Sequence, residues 1–324
     1  MSRGYVTRCA SGDPSRYVRA VNLEDCLPAE LRGPTTTITP IAAGMSGAGV
    51  YRVEAGARAF VLKIAAGDDP VWRRKLHVQQ LAAARGLAPA VIHVDEARRA
   101  VVSAFVVDRG FAPLVMTPAT RERALDLLGK TLRRVHELPV PQSAPAADPR
   151  QALAGLSATA TTVPVFAAEL AARVLAETPP PADRPLALSH NDVNPSNVVH
   201  DGERILLLDW DVAGPNDPLY DLATIALFLR FDEAACLRLL AAHDGAPVAA
   251  LPARFGYLRR VVGALVGTMM LVLARQGGHA GGETDAPLSL AEYYQRMRAG
   301  QVSPATPAGK WQFGLALLAE TSAR

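Results

Sequence analysis

Between Ser189 and Asp211 the chain reads Ser-His-Asn-Asp-Val-Asn-Pro-Ser-Asn-Val-Val-His-Asp-Gly-Glu-Arg-Ile-Leu-Leu-Leu-Asp-Trp-Asp, its densest concentration of polar chemistry. Val198-Val199 and Ile205 to Leu208 are strand-like runs on either side of an Asp201-Gly202 turn, the pattern of a short hairpin. An acid, Asp192, an amide five residues later, Asn197, and a second acid, Asp209, at the end of a wholly apolar strand then stand as hard oxygen donors in a loop and at a strand end. Magnesium favours such oxygen ligands, and a phosphoryl group in transfer needs its charge neutralised by that metal while a carboxylate orients the attacking hydroxyl. Any one of these acids alone is better read as a loop cap or a solvated side chain. That reading does not explain the ordered set.

Around this cluster the hydrophobic periodicity changes once. Residues 35–41, 50–53 and 60–64 are β-branched or aromatic runs separated by glycine turns, which predicts a three-stranded antiparallel meander. Asp69-Pro70 predicts the start of a helix that runs to about Arg85 and stops at Gly86. Two further strands, 90–94 and 100–107, complete a β-β-β-α-β-β lobe that ends at the polar turn Asp108-Arg109-Gly110. Beyond it the pattern is helical. Thr117-Pro118 opens a helix whose Leu125, Leu128, Leu132 and Val135 share one face, and the chain is mostly helix after Leu219. Residues 139–150 and 178–185 read as proline- and alanine-rich loops around a helix at 165–176, and no internal repeat is present.

Composition narrows the class of protein. With 324 residues, 49% hydrophobic and 20% charged, the chain is an ordinary globular protein of about two domains or lobes. Lys+Arg (34) and Asp+Glu (31) nearly cancel and the basic residues are scattered, which excludes a nucleic-acid footprint. Three distant cysteines, Cys9, Cys26 and Cys236, form neither a disulfide framework nor a zinc site, and a reducing cytoplasm fits them. The amino terminus lacks the apolar stretch of a signal peptide. The apolar run Val261 to Ala274 is shorter than the roughly 18 residues of a membrane span and reads as a buried core helix, so no membrane partner is expected. Only four lysines, Lys63, Lys75, Lys130 and Lys310, stand among the arginines.

His190-x-Asp192-x-x-x-x-Asn197, followed by Asp209-Trp-Asp211 and Asp217-Pro-Leu-Tyr-Asp221-Leu-Ala, strongly resembles the aminoglycoside phosphotransferase and choline kinase superfamily over residues from about 38 to 235. The resemblance implies an α+β, two-lobed protein-kinase-like fold: residues 1–107 a nucleotide-side lobe of small antiparallel sheet and helix, residues 108–324 a mainly helical catalytic and substrate lobe. It implies Asp192 as catalytic base or orienting acid, His190 as a buried residue bracing the loop, and Asn197 and Asp209 as Mg²⁺ ligands. Asp211 would hold either metal-bound water or a loop amide. Asp221 would accept hydrogen bonds from the catalytic-loop backbone, with a simple helix N-cap as the plainer alternative. ATP would lie between the lobes with its adenine on backbone near Phe105 to Asp108. Asn191, where protein kinases carry arginine, argues against regulation by activation-loop phosphorylation and is closer to the choline kinase branch.

The nucleotide side carries a weaker signal. The glycine-rich turn Gly44-Met-Ser46-Gly47-Ala-Gly49 can fold over phosphates, because small residues permit close backbone approach. Lys63 lies on the next strand, the family's place for the lysine that meets the α- and β-phosphates; the alternative is an outward-facing edge-strand lysine. The family pairs that lysine with a helix glutamate, yet residues 71–80 contain no acid and His77 falls near the expected place. Either Asp68 or Asp69 substitutes, or the nucleotide alone holds Lys63. The other three lysines read as solvated charges.

The expected activity is transfer of the ATP γ-phosphoryl group to a hydroxyl of a small molecule, with a choline- or ethanolamine-like amino alcohol first. The alternatives are an aminoglycoside or other antibiotic O-phosphotransferase and a non-catalytic nucleotide-binding pseudoenzyme. Quaternary ammonium recognition would draw on Tyr220, Tyr257, Tyr293, Tyr294, Trp311 or Phe313, most of which read more readily as packing residues. Aminoglycoside recognition would need clustered carboxylates, and Glu283, Asp285, Glu292 and Glu320 are sparse.

Overall fold

A computed structural model describes residues 22–41, 49–65, 69–141, 144–159, 163–282 and 286–322. The chain divides into two compact units, Met1–Asp108 and Arg109–Arg324.

The first unit runs β1 (Thr37–Pro40), β2 (Gly49–Ala55), β3 (Arg58–Ile64), α1 (Trp72–Ala84), β4 (Val91–Asp95) and β5 (Ala100–Ala104). Its sheet is antiparallel in the order β1-β2-β3-β5-β4. Strand alternation divides the apolar residues between two faces. Phe60 and Leu62 of β3 pack with Val53, Val102, Cys26, Leu27 and Leu31 on one face. Lys63 is paired across the ladder with Val50 and Val101, and Val101 packs with Trp72 and Leu76 of α1. Lys63 therefore stands on the face that α1 covers. The helix begins two residues later than Asp69-Pro70 suggests: Asp69 accepts the Val71 N–H at 3.0 Å in a turn before Trp72.

The second unit contains α2 (Phe111–Met116), α3 (Pro118–His136), α4 (Pro149–Thr159), α5 (Val165–Ala176), β6 (Ala187–Ser189), β7 (Val198–His200), β8 (Ile205–Leu207), β9 (Gly214–Asn216), α6 (Leu219–Phe228), α7 (Glu233–Asp244), α8 (Ala253–Gln276), α9 (Leu290–Arg298) and α10 (Pro307–Ser322). Leu125, Leu128, Leu132 and Val135 of α3 are all buried, at about 2 kcal/mol of hydrophobic stabilisation for each large side chain removed from water. Helices α3 and α7 approach closely at Gly129, where a Cβ would lie 2.7 Å from both the Ala242 methyl and the Leu239 carbonyl oxygen. No larger residue fits without displacing backbone.

Helix α8 is 24 residues long, longer than its apolar run, because the flanking arginines belong to it. By length and composition it could cross a membrane, yet 67% of its apolar window is buried inside the fold. Its charges are matched locally: Arg260 pairs with Glu177 at 2.7 Å, and Arg275 lies over the Trp311 ring at 5.5 Å. It is a core helix. The fold is α+β, with a small antiparallel sheet unit and a mainly helical unit.

Candidate active site

Two short hairpins in the second unit present the polar cluster. Strands β6 and β9 pair antiparallel, Ser189 opposite Gly214, and close the neck of the loop that contains every residue from His190 to Ala213. Inside that loop β7 and β8 form a second hairpin with Val198 opposite Leu207. Its ladder extends one step further, since the Leu208 N–H donates to the Asn197 carbonyl at 2.9 Å. Asn197 and Asp209 are thereby set side by side at one end of the hairpin.

Asp192 is gripped on both oxygens. Asn194 Nδ2 donates to Oδ1 at 2.9 Å and Asn197 Nδ2 donates to Oδ2 at 2.8 Å, with a further bond from Asn197 Nδ2 to the Asp192 carbonyl at 2.9 Å. The amide hydrogens of Asn197 are spent on Asp192, so its carbonyl oxygen is the atom it can offer a cation. Burial pushes the Asp192 carboxyl upward; Asn194, the neighbouring His190 and Asn197 pull it back, and the Asp209 carboxylate adds to the rise. The result is a carboxylate more basic than its ordinary value, poised to take a proton.

Asp209 adopts a left-handed backbone, φ 59° and ψ 71°, and Asn191 a second one with φ 65°. Such conformations are costly outside glycine and persist where surrounding bonds fix them. Those bonds are present. His190 is fully buried, its Nε2 at 2.9 Å from the Leu208 carbonyl and its ring edge-on to Trp210 with centroids 4.8 Å apart. Trp210 Nε1 in turn donates to the Leu207 carbonyl at 2.9 Å. Asn191 donates to the Val212 carbonyl at 3.0 Å and accepts from Asn216 Nδ2 at 2.8 Å. Asp211 lies on the short turn Trp210–Val212 and is half-buried.

Asp221, at the start of α6, has no exposed surface and reaches back to the loop. Its Oδ2 accepts the His190 N–H at 2.7 Å and its Oδ1 accepts the Asn191 N–H at 2.8 Å. The side chain is a loop brace and does not cap its own helix. Burial pushes its carboxyl up, but the bond from His136, the fields of His136 and His190 and the His190 N–H hold it below the usual carboxylate range. His136 escaped notice in the sequence. Its only signal is that it continues the apolar face of α3, four residues after Leu132, where a buried imidazole needs a polar partner.

Among the residues expected to meet phosphate, Gly49 opens β2 and Lys63 lies on β3, whereas Gly44, Ser46 and Gly47 fall outside the described residues. Asp68 falls outside them too. Asp69 is committed to Lys75, with Oδ2 at 2.8 Å from Nζ, so Lys75 is a partly buried ion-pair partner and not a solvated charge.

The aromatic candidates divide. Tyr220, Tyr257, Tyr293 and Trp311 are buried packing residues, and Arg275 already lies over Trp311. Tyr294 and Phe313 are half-buried neighbours, ring centroids 6.4 Å apart. Of the carboxylates, Glu292 closes a capping box with Ser289 and Glu320 pairs with Arg230 at 3.3 Å. Glu283 and Asp285 lie outside the described residues.

Comparison with known proteins agrees with this chemistry. Residues 37–259 match the model of the phosphotransferase enzyme family. Protein LicA of Haemophilus influenzae (strain ATCC 51907 / DSM 11121 / KW20 / Rd) is 47% identical over 36 residues, which are 11% of this chain and only 14% of that relative's length. Among solved structures, a choline/ethanolamine kinase family protein of Mesorhizobium loti is similar over 90% of this chain and 95% of its own, with a TM-score of 0.60 and 20% identity. A spectinomycin phosphotransferase in complex with ADP and spectinomycin is similar over 87% of this chain and 93% of its own, with a TM-score of 0.55 and 14% identity. Since the family match spans more than half of its length and includes the whole acid-amide-acid hairpin, this chain belongs to the phosphotransferase enzyme family.

Proposed function

We propose that the protein transfers the γ-phosphoryl group of ATP to a hydroxyl of a small amino alcohol of the choline or ethanolamine type. The observation that carries the transfer is the clamp on Asp192, whose oxygens are oriented by Asn194 and Asn197 and whose carboxyl is made more basic by burial. Asp192 orients the acceptor hydroxyl and takes its proton as the alcohol oxygen bonds to the γ-phosphorus. The bond from that phosphorus to the β-phosphate oxygen breaks and ADP leaves with the electron pair.

Asn197 through its carbonyl oxygen and Asp209 through its carboxylate are the residues suited to Mg²⁺. Among the described residues no group of three or more His, Cys, Asp and Glu side chains could form an all-protein metal cage. Magnesium at a phosphoryl-transfer site needs none, because it takes one or two protein oxygens and completes its shell with phosphate and water. The metal would supply charge neutralisation on the phosphate oxygens. Lys63 and the glycine turn ending at Gly49 are the phosphate contacts from the first unit, Lys63 as a compact charge that an arginine fork would not reproduce.

The amino alcohol preference is supported by Asn191, held in its left-handed conformation by Val212 and Asn216, and by the similarity to a choline/ethanolamine kinase family protein. Tyr294 and Phe313, the half-buried rings among the six aromatic candidates, are the ones assigned to a quaternary ammonium in this reading. An antibiotic acceptor is the second reading, favoured by the burial of Tyr220, Tyr257, Tyr293 and Trp311 and by the similarity to the spectinomycin enzyme. ADP release measured against choline, ethanolamine, thiamine, sugars and aminoglycosides separates the two. Turnover with choline or ethanolamine supports the first, turnover with aminoglycosides alone replaces it with the second, and Mg²⁺·ATP binding without turnover on any alcohol would leave a pseudoenzyme.

A further inference from the structure

Behind the catalytic-loop brace lies a line of buried titratable groups that phosphoryl transfer as described does not use. Asp221 Oδ2 is 3.1 Å from His136 Nε2, His136 Nδ1 is 2.8 Å from His243 Nε2, and His243 Nδ1 is 2.7 Å from Asp244 Oδ1. Arg184 closes the far end with two bonds to Asp244, at 2.6 and 2.8 Å. His136 and His243 are 6% and 9% exposed in their side chains and Asp221 is wholly buried, so the inner contacts of the line are shielded from solvent, while Asp244 at its far end is 24% exposed. The line exists because α3 and α7 touch at Gly129, two turns before His136 on the same face of α3.

Counting hydrogens fixes the charge. Each of the three short contacts needs one proton between its heavy atoms, and a lone pair facing a lone pair in a buried site costs the full desolvation of both groups. Asp221 already accepts two backbone N–H bonds and stays ionised, and Asp244 is ionised against Arg184. Three protons must therefore reside on the two imidazoles. The 3.5 Å approach of Arg184 to His243 Nδ1 is too long to supply one of them. One imidazolium and one guanidinium then balance two carboxylates, which is the condition for burying such a set. The other titratable or charged groups near the line, among the described residues, are His190 on the loop side, Tyr220 beside Asp221, Asp183 at 3.8 Å from Arg184, and Arg133 on α3, which pairs with Glu137 and lies against Gly245.

We propose that His136 and His243 share three protons and one positive charge, and that through this relay His136 acts as a positioning residue for phosphoryl transfer, fixing Asp221 and hence the backbone from which Asp192 projects. The claim about positioning rests on the phosphotransfer reading above; the proton count does not. Burial and its neighbour His136 pull the pKa of His243 down to about 4, which makes His243 the neutral member of the pair.

The decisive measurement is the imidazole ¹⁵N spectrum of histidine-labelled full-length protein at pH 7, assigned by signals lost in His136→Gln and His243→Gln. One imidazole protonated on both nitrogens beside one neutral Nδ1–H imidazole supports the relay; two neutral imidazoles overturn it. ADP release from His136→Gln, whose amide can still donate to Asp221 but cannot carry charge, should show kcat reduced about ten- to hundredfold, the range for losing one charge-assisted hydrogen bond. The nucleotide KM should stay unchanged. An unchanged kcat overturns the positioning role. If His136→Gln does not fold, the wild-type spectrum and its assignment through His243→Gln still decide the proton count. A wild type with the cationic spectrum but no turnover on any acceptor overturns the phosphotransfer reading, and positioning with it, while the proton count stands.

Discussion

The two units hold their functional side chains by different means. In the second unit Asp192, Asn197, His190 and Asn191 are each fixed by side-chain hydrogen bonds, and Asp221 braces the loop from a fully buried site. In the first unit the sheet register sets Lys63 on the face that α1 covers, and Asp69, just before that helix, pairs with Lys75. The arrangement suits the roles proposed for each side. A proton acceptor has to be oriented to within a fraction of an ångström, whereas a lysine meeting phosphate acts as a point charge that tolerates small displacements.

The contrast predicts steep losses in the second unit and shallow ones in the first. Asp192→Asn should lower transfer by about 10²- to 10⁴-fold, the usual worth of a positioned general base, with nucleotide affinity nearly intact. Retention of most ADP release would remove Asp192 from the reaction. Asp221→Asn should cost about 3–5 kcal/mol of stability, since it leaves buried donors and a buried imidazolium uncompensated. Chemical denaturation measures it, and a change under 1 kcal/mol would mean that the loop holds itself.

The third effect is a pH dependence. His243 has a folded pKa of about 4 against the ordinary histidine value of about 6.5, so the unfolded chain binds more protons between those values and stability rises with pH. Its contribution is fully present above the unfolded value and is lost as pH falls from about 6.5 toward 4, by up to about 3 kcal/mol. Asp244, held low in spite of its burial by Arg184 and His243, adds to the same acid loss. Denaturation midpoints at pH 7, 5.5 and 4.5 test the slope, which His243→Gln should flatten.

Smaller effects belong to the first unit. Lys63→Arg should weaken Mg²⁺·ATP binding by about tenfold, the loss of one well-placed charge contact of about 1.4 kcal/mol. Lys75→Met should change stability by less than about 1 kcal/mol, because its pairing with Asp69 is partly solvated. If Lys75→Met instead abolished nucleotide binding, Asp69 and Lys75 would belong to the phosphate site and the contrast between the units would fail.

The elements were mostly legible in the chain. Strand alternation gave the meander and its two partners, and the apolar spacing of Leu125, Leu128, Leu132 and Val135 gave the buried face of α3. Helices α2 and α4 were not foreseen. The start of α1 was misplaced because Asp69 turns the chain before the helix and does not cap it. At the site, the acid-amide-acid order of Asp192, Asn197 and Asp209 was readable because the three lie within one hairpin and its approach, where spacing along the chain is spacing in space.

What the sequence determined by itself was therefore local: two regions of different periodicity, one short hairpin of oxygen donors, and an ordered acid-amide-acid set that resembles that of phosphotransferases. The tertiary structure decided the partners. His136, Asp221 and His243 are separated by 85 and 107 residues from one another's bonding atoms, and no local pattern announces that they meet. They meet because Gly129 lets α3 and α7 pack backbone to backbone, and because a buried carboxylate that carries loop N–H bonds must find a compensating positive charge wherever the fold can bring one.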